Sequence, residues 1–155
     1  MKDASRSAEG PSAAALRVQL RSGFPSELGD EVEATARRMT VSISYGIHVD
    51  NRPGPVFVAG EKLLLPKRHG FLPRRRFLGL SARGARAETR STICAAIASH
   101  STNGFVRQAS VGPLAKSGAL WTMPYIVDLA SDYVIEILAK LDARMHLVDR
   151  DNLRR

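Results

Sequence analysis

Three carboxylates recur at four-residue spacing in the C-terminal third of the chain: Asp128, Asp132 and Glu136. On one helix this spacing puts them on one face, where carboxylates could hold a divalent cation or work as an acid–base pair. No histidine stands at helical spacing among them, and Lys140 and Arg144 continue the row with the opposite sign. Acids early and bases late are what a helix dipole favours, so the row reads as a solvated face and no metal or other cofactor is expected. Arg107 is expected to form a bidentate structural ion pair with Asp132 or Glu136. His100, shortly before Asn103 and Gly104, stands at a helix end, where an imidazole could be a general base but more often covers the last carbonyls. Cys94 lies among Ala95, Ala96 and Ile97 and reads as a small buried apolar residue, not a nucleophile. Trp121 and Tyr125 read as core anchors rather than a base-stacking platform.

The formal net charge is +8, and its position is more informative than its size. Residues 1–60 carry seven bases and seven acids, residues 121–155 five and six, and residues 61–120 eleven and two. Over residues 67–90 of this middle third Lys67, Arg68, Arg74, Arg75, Arg76, Arg83, Arg86 and Arg90 are opposed only by Glu88. Such a segment is the electrostatic footprint of a surface that meets phosphate or an anionic protein partner. Arg74 to Arg76, flanked by Phe71 and Phe77, suit backbone phosphates but offer nothing that reads bases. No phosphate-binding glycine loop, metal-ligand spacing, nucleophile elbow or dinucleotide fingerprint occurs, so no catalytic residue is assigned and an enzyme is the less favoured class.

The elements that must position these residues follow from periodicity. Residues 1–12 are small and polar and are expected to be a disordered tail. Short helices are expected over 13–39, the first burying Leu16 and Leu20, the second Val32, Ala36 and Met39 with acids in its first turn. From Thr40 to Asp50 apolar and polar residues alternate as in a half-buried strand. Val56 to Val58 and Lys62 to Leu65 flank Ala59-Gly60-Glu61, the spacing of a tight hairpin with Gly60 at positive φ. A small antiparallel sheet of three strands over 40–65 results, followed by an irregular basic connector over 66–84.

The helical pattern resumes at Ala85 and runs to His100, with Asn103-Gly104 expected to end it in the left-handed conformation. A further helix burying Phe105, Val106 and Ala109 is expected to kink or restart at Gly112-Pro113. Thr122 to Met145 reads as one long buried helix, N-capped by the Thr122 hydroxyl and apolar nearly all round, that serves as the spine of the core. Its three carboxylates would cost about 2.5–3.5 kcal/mol each inside a bilayer, so no membrane span is expected. The fold class is therefore α+β: one domain over 13–146, with a helical layer over 85–146 packed on the sheet, and a charged tail over 147–155. With no signal-like apolar segment after Met1 and no second cysteine for an internal disulfide, a cytoplasmic location is expected.

Gly104-Phe105-Val106-Arg107-Gln108, then Trp121 with Pro124-Tyr125, then Tyr133-Val134-Ile135-Glu136-Ile137-Leu138 resemble the pattern of a family of uncharacterised bacterial proteins, over about residues 89–145. That pattern carries Gly-Glu where this chain has Ser131-Asp132, so the acid is kept and the glycine is not. The same stretch resembles a HEAT-like helical repeat unit, in which an arginine near the start of one helix pairs with an acid of its neighbour. The resemblance implies Arg107 with Asp132 or Glu136, and no activity. Two functions are carried forward: a non-catalytic interaction or adaptor module that binds a partner protein within a larger bacterial assembly, and a nucleic-acid-binding protein that uses Lys67 to Arg90 on phosphates. Oligomeric state is not legible in the sequence.

Overall fold

Residues 92–101 are buried on every side, so the core is organised around the helix that contains most of them. A helix apolar all round packs against neighbours in all directions. The computed structural model describes residues 17–41, 55–66, 68–72, 84–132 and 134–147. In chain order these form α1 (17–21), a 3-10 turn Ser26–Leu28, α2 (Gly29–Ala36), β1 (Thr40–Val41), β2 (Val56–Val58), β3 (Glu61–Leu63), β4 (Phe71–Leu72), α3 (Ala85–Ser99), α4 (Gly104–Lys116), a 3-10 turn Leu120–Thr122, α5 (Met123–Ala130), α6 (Ile135–Asp142) and a final 3-10 turn Met145–Leu147. The fold is α+β, mostly helical, and the longest helix among the described residues is α3.

Two helical hairpins make the larger layer. α3 and α4 meet at the turn 100–103, and α5 and α6 meet at 131–134. Arg107 near the start of α4 reaches Asp132, and a Cβ placed on Gly112 further along α4 would lie 3.2 Å from Arg144 Nη1 just after α6. α4 and α6 therefore run side by side in the same direction, and both hairpin turns lie at one end of the bundle. On the other flank, Arg86 and Arg90 of α3 bond Glu31 of α2. Tyr125 of α5 donates its hydroxyl to Gly23 O at 2.7 Å. The Phe24 ring lies 5.4 Å from both Trp121 and Tyr125, which makes these aromatics core anchors, as expected.

Among the described residues, the strands over 40–72 form two antiparallel pairs rather than the expected three-stranded sheet. β1 pairs with β4, Thr40 opposite Leu72 and Val41 opposite Phe71, and β2 pairs with β3. Only Thr40–Val41 of the expected strand 40–50 falls among the described residues; the rest of it lies outside them. Strand β4 falls in what read as an irregular connector. The hairpin between β2 and β3 is as expected, with Gly60 at φ 84° and Ala59 also left-handed at φ 48°. Of the first helix, 17–21 is described and Leu20 is fully buried, while Leu16 lies outside the described residues, as do the expected tail 1–12 and residues 148–155 of the C-terminal one.

The single helix expected from Thr122 to Met145 is two. Ser131 and Asp132 close α5 with tight turns, their N–H groups donating to Asp128 O and Leu129 O, and the Ser131 hydroxyl also donates to Asp128 O at 2.7 Å. Val134 is then extended (φ −83°, ψ 107°) and its N–H donates to Asp132 Oδ1 at 3.3 Å before α6 begins. Ser and Asp offer the backbone these local alternatives to helix, which apolar periodicity does not register. Thr122 does stand at the start of α5, but its hydroxyl donates to Ala119 O rather than capping.

Asn103-Gly104 likewise begins a helix instead of ending one. Asn103 Oδ1 accepts from Phe105 N–H at 3.0 Å, an N-cap, and the left-handed conformation expected of these two residues is not adopted. Counted from that cap, the buried face of α4 is Arg107, Ser110, Val111, Leu114 and Ala115, so Phe105 points outward and is 84% exposed. Pro113 does not interrupt α4, which runs on to Lys116.

Candidate functional site

The end of the bundle that carries both hairpin turns gathers a set of charged and titratable side chains within the protein. Asp132 is its centre. The side chain is 4% exposed and accepts from Arg107 Nε at 2.7 Å, Arg107 Nη2 at 3.4 Å and Arg68 Nη2 at 2.9 Å. Arg107 spends its remaining fork on Ser101 O at 2.9 Å and Thr102 O at 3.2 Å, and Arg68 Nη1 reaches Ser99 O at 3.2 Å. One carboxylate thus joins the turn after α5, the start of α4, the end of α3 and the segment before β4. Burial alone would raise the Asp132 carboxyl, but the hydrogen bond from Arg107 and the charge of Arg68 outweigh it and hold the group below its ordinary value.

Two histidines lie beneath this pair. His69 and His100 are 2% and 3% exposed. The backbone of His69 runs as a bridge along the α3–α4 turn, its N–H donating to His100 O at 2.9 Å while Thr102 N–H donates to His69 O at 3.0 Å. The His100 and Tyr125 rings are T-shaped with centroids 5.4 Å apart, and His100 Nδ1 stands 3.7 Å from Asp128 Oδ2, too long for a hydrogen bond. Nε2 of His100 has no hydrogen-bond partner among the described residues. Burial, then the neighbouring His69, Arg68 and Arg107, push the His100 imidazole down to about 3. Burial chiefly, aided by Arg68 and resisted by a backbone hydrogen bond at Ile97, lowers His69 to about 4. Asp128 is pushed up by desolvation and by Asp132, although Arg68 opposes this.

In chemical terms the cluster is closed. His100 is neutral and shielded, so it does not present the exposed base considered for it, nor does it cover the last carbonyls of α3 with its ring. Asp128, Asp132 and Glu136 do not form a shared carboxylate face: Asp132 is turned inward, Asp128 is half-buried and Glu136 is exposed on the far side of the break. Of the two acids expected to hold Arg107, Asp132 does so. Cys94 is fully buried and its thiol is pushed up to about 12 by desolvation, which removes it as a nucleophile at neutral pH. Among the described residues no group of three or more His, Cys, Asp or Glu side chains could hold a metal ion, and no helix is long and apolar enough to cross a membrane.

Of the eight basic candidates, Arg68, Arg86 and Arg90 are described, and each holds an acid of this chain: Arg68 with Asp132, Arg86 and Arg90 with Glu31. The two arginines lower the Glu31 carboxyl. Lys67, Arg74, Arg75, Arg76 and Arg83 lie outside the described residues. His69 is the residue that sequence reasoning missed. It stands 31 residues from His100 in a stretch with no helical or strand period, so no spacing rule connects the two; the nearest signal was its place between Arg68 and Gly70 in an otherwise basic run.

No protein-family model, curated protein or solved structure matches this chain.

Proposed function

We propose that this protein is a non-catalytic interaction module that binds a partner protein through the turn end of its helical hairpins, in the cytoplasm and within a larger bacterial assembly. The observation that carries this reading is the exposure of three large apolar side chains there: Phe105 on the first turn of α4 (84%), Ile135 on the first turn of α6 (75%) and Val127 in the last turns of α5 (64%). The two helix starts are tied to each other by the Arg107–Asp132 pair, so Phe105 and Ile135 are presented on a fixed base. Apolar side chains held outward on a rigid scaffold are the anchors around which protein interfaces form. Resemblance to a HEAT-like unit agrees, since such units work by stacking helices on a neighbour. The nucleic-acid reading is less well supported, because each described arginine of the basic segment already has an acid within the chain.

Affinity capture from an extract of the native cell, with the wild type beside Phe105→Asp and Ile135→Asp, tests the reading. A protein retained by the wild type and weakened at least tenfold by each folded variant is expected, a loss of about 1.4 kcal/mol or more. Equal capture by all three would refute it. Fluorescence anisotropy with labelled DNA and RNA decides the alternative: tight binding that weakens linearly in log salt, and is lost in an Arg74/Arg75/Arg76→Ala variant, would move the function to phosphate recognition.

A further inference from the structure

Helix α6 turns Ile137 and Leu141 to the core and its opposite face to solvent. Ile135, Leu138, Ala139 and Asp142 stand at the i, i+3, i+4 and i+7 spacing of one helix face. All four are exposed, Ile135 to 75% and Leu138 to 39%. Apolar side chains gathered along one exposed face mark a packing surface. We propose that α6 pairs with α6 of a second copy of this chain, antiparallel, about a two-fold axis that passes beside Leu138. The inference rests on the partner-binding reading through Ile135 and deepens it, naming a second copy as the partner of the α6 face.

The charges of the helix select this partner and this direction. Glu136 and Lys140 lie four residues apart along one flank of the apolar face, with Leu138 midway between them. In an antiparallel pair centred on Leu138, position 136 of each helix is level with position 140 of the other. A two-fold axis perpendicular to both helices keeps the same flank of each on the same side. Glu136 therefore meets the partner's Lys140, and Lys140 meets the partner's Glu136. Among the described residues neither side chain makes an ion pair within its own chain, so both remain open to this one.

The same axis brings Asp142, the last residue of the face, level with the start of the partner's α6. That start, after Val134, has no side-chain cap, and the helix dipole favours an anion there. At the centre Leu138 packs on the partner's Leu138, and the small side chain of Ala139 lets the two backbones approach. A parallel pair would set Asp142 on Asp142 and Glu136 beside Glu136, juxtapositions that repel. An eight-residue helix is about 12 Å long, so the contact is small. It falls below the roughly 1,200 Å² of a standard interface, and the expected dissociation constant is about 10–100 µM.

Sedimentation velocity of the purified full chain from about 1 µM to 1 mM, at low salt, reads the pairing. The wild type should pass from monomer to dimer across this range. Glu136→Lys and Lys140→Glu each place like charges opposite one another twice, and each should weaken the dimer by about fivefold or more. The double variant Glu136→Lys/Lys140→Glu restores opposite charges and should return the constant to within about twofold of the wild type. An equimolar mixture of the two single variants should likewise associate more tightly than either alone. Both positions lie away from the core, and far-UV circular dichroism checks that each variant is folded. A wild type that stays monomeric at 1 mM overturns the proposal, as does a dimer indifferent to the single variants or one that the double variant fails to restore. A monomeric chain that still captures another protein through Phe105 and Ile135 would overturn the second copy and keep the partner-binding reading. A charge-dependent dimer that captures nothing else would uphold the pairing and confine that reading to it.

Discussion

The Arg107–Asp132 pair is the connection whose removal should be felt most, and the structure sets the magnitude. Arg107→Ala deletes two bonds to a carboxylate that is 4% exposed and leaves Ser101 O and Thr102 O without their donor. Asp132 keeps Arg68, but that arginine is 42% exposed and cannot replace the buried fork. Breaking one side of a buried pair costs about 3–5 kcal/mol because a charge is stranded in the interior. With a urea slope of roughly 2 kcal/mol per molar, the unfolding midpoint should fall by about 2 M, followed by Trp121 fluorescence and far-UV circular dichroism. Asp132→Asn should cost a similar amount. The double variant Arg107→Met/Asp132→Leu should lose clearly less than the sum, since neither charge is left behind. Arg86→Ala provides the contrast: its side chain is 76% exposed where it meets Glu31, and its loss should stay within about 1 kcal/mol. If Arg107→Ala were as mild as Arg86→Ala, or if the double-variant cycle were additive, the pair would be an ornament of the surface and not the tie between the two hairpin turns.

Three further outcomes are expected. Ala59 holds φ 48° in the turn between β2 and β3, a conformation that disfavours a residue with a Cβ by about 1–2 kcal/mol but suits asparagine before Gly60. Ala59→Asn should therefore raise stability by about 0.5–1 kcal/mol, seen as a higher melting temperature. Tyr125→Phe should cost about 1–3 kcal/mol in urea, because Gly23 O, 2.7 Å from the hydroxyl, loses a buried donor. Cys94 should resist a thiol-exchange dye at pH 8 in the native protein and react at once in denaturant, since its thiolate is suppressed by burial.

How far the sequence foretold this molecule depends on which physical signal each element leaves. α3, α2 and the β2–β3 hairpin were legible because apolar period, terminal charges and the Ala59-Gly60 turn all agree. The hydrophobic period from Thr122 to Met145 was real as well, and both α5 and α6 use it: Tyr125, Ile126 and Leu129 are buried on one, Ile137 and Leu141 on the other. Periodicity reports which residues face the core, however, and it continues across a break when the two helices bury faces in phase. The break is written in Ser131 and Asp132, whose side chains satisfy backbone groups locally, and a pattern count gives that no weight.

The site shows the same division. Arg107 with an acid in the last third was expected from the resemblance to a HEAT-like unit, in which an arginine near the start of one helix pairs with an acid of its neighbour, and the structure pairs it with Asp132. Which acid it takes is decided by the helix break. On one continuous helix Asp132 and Glu136 lie on the same face and are equivalent choices; the turn at 131–134 swings Asp132 inward and leaves Glu136 in solvent. The misread break and the choice between the two acids are therefore one event, and Arg107 supplies part of its cause. An Asp132→Ala variant, which removes both the acceptor for Val134 N–H and the partner of Arg107, should let the α5–α6 turn drift toward the continuous helix that the apolar pattern permits. A gain in helical circular dichroism beside the loss in stability would show it, and an unchanged spectrum would mean that packing of Ile137 and Leu141, not the aspartate, sets the turn.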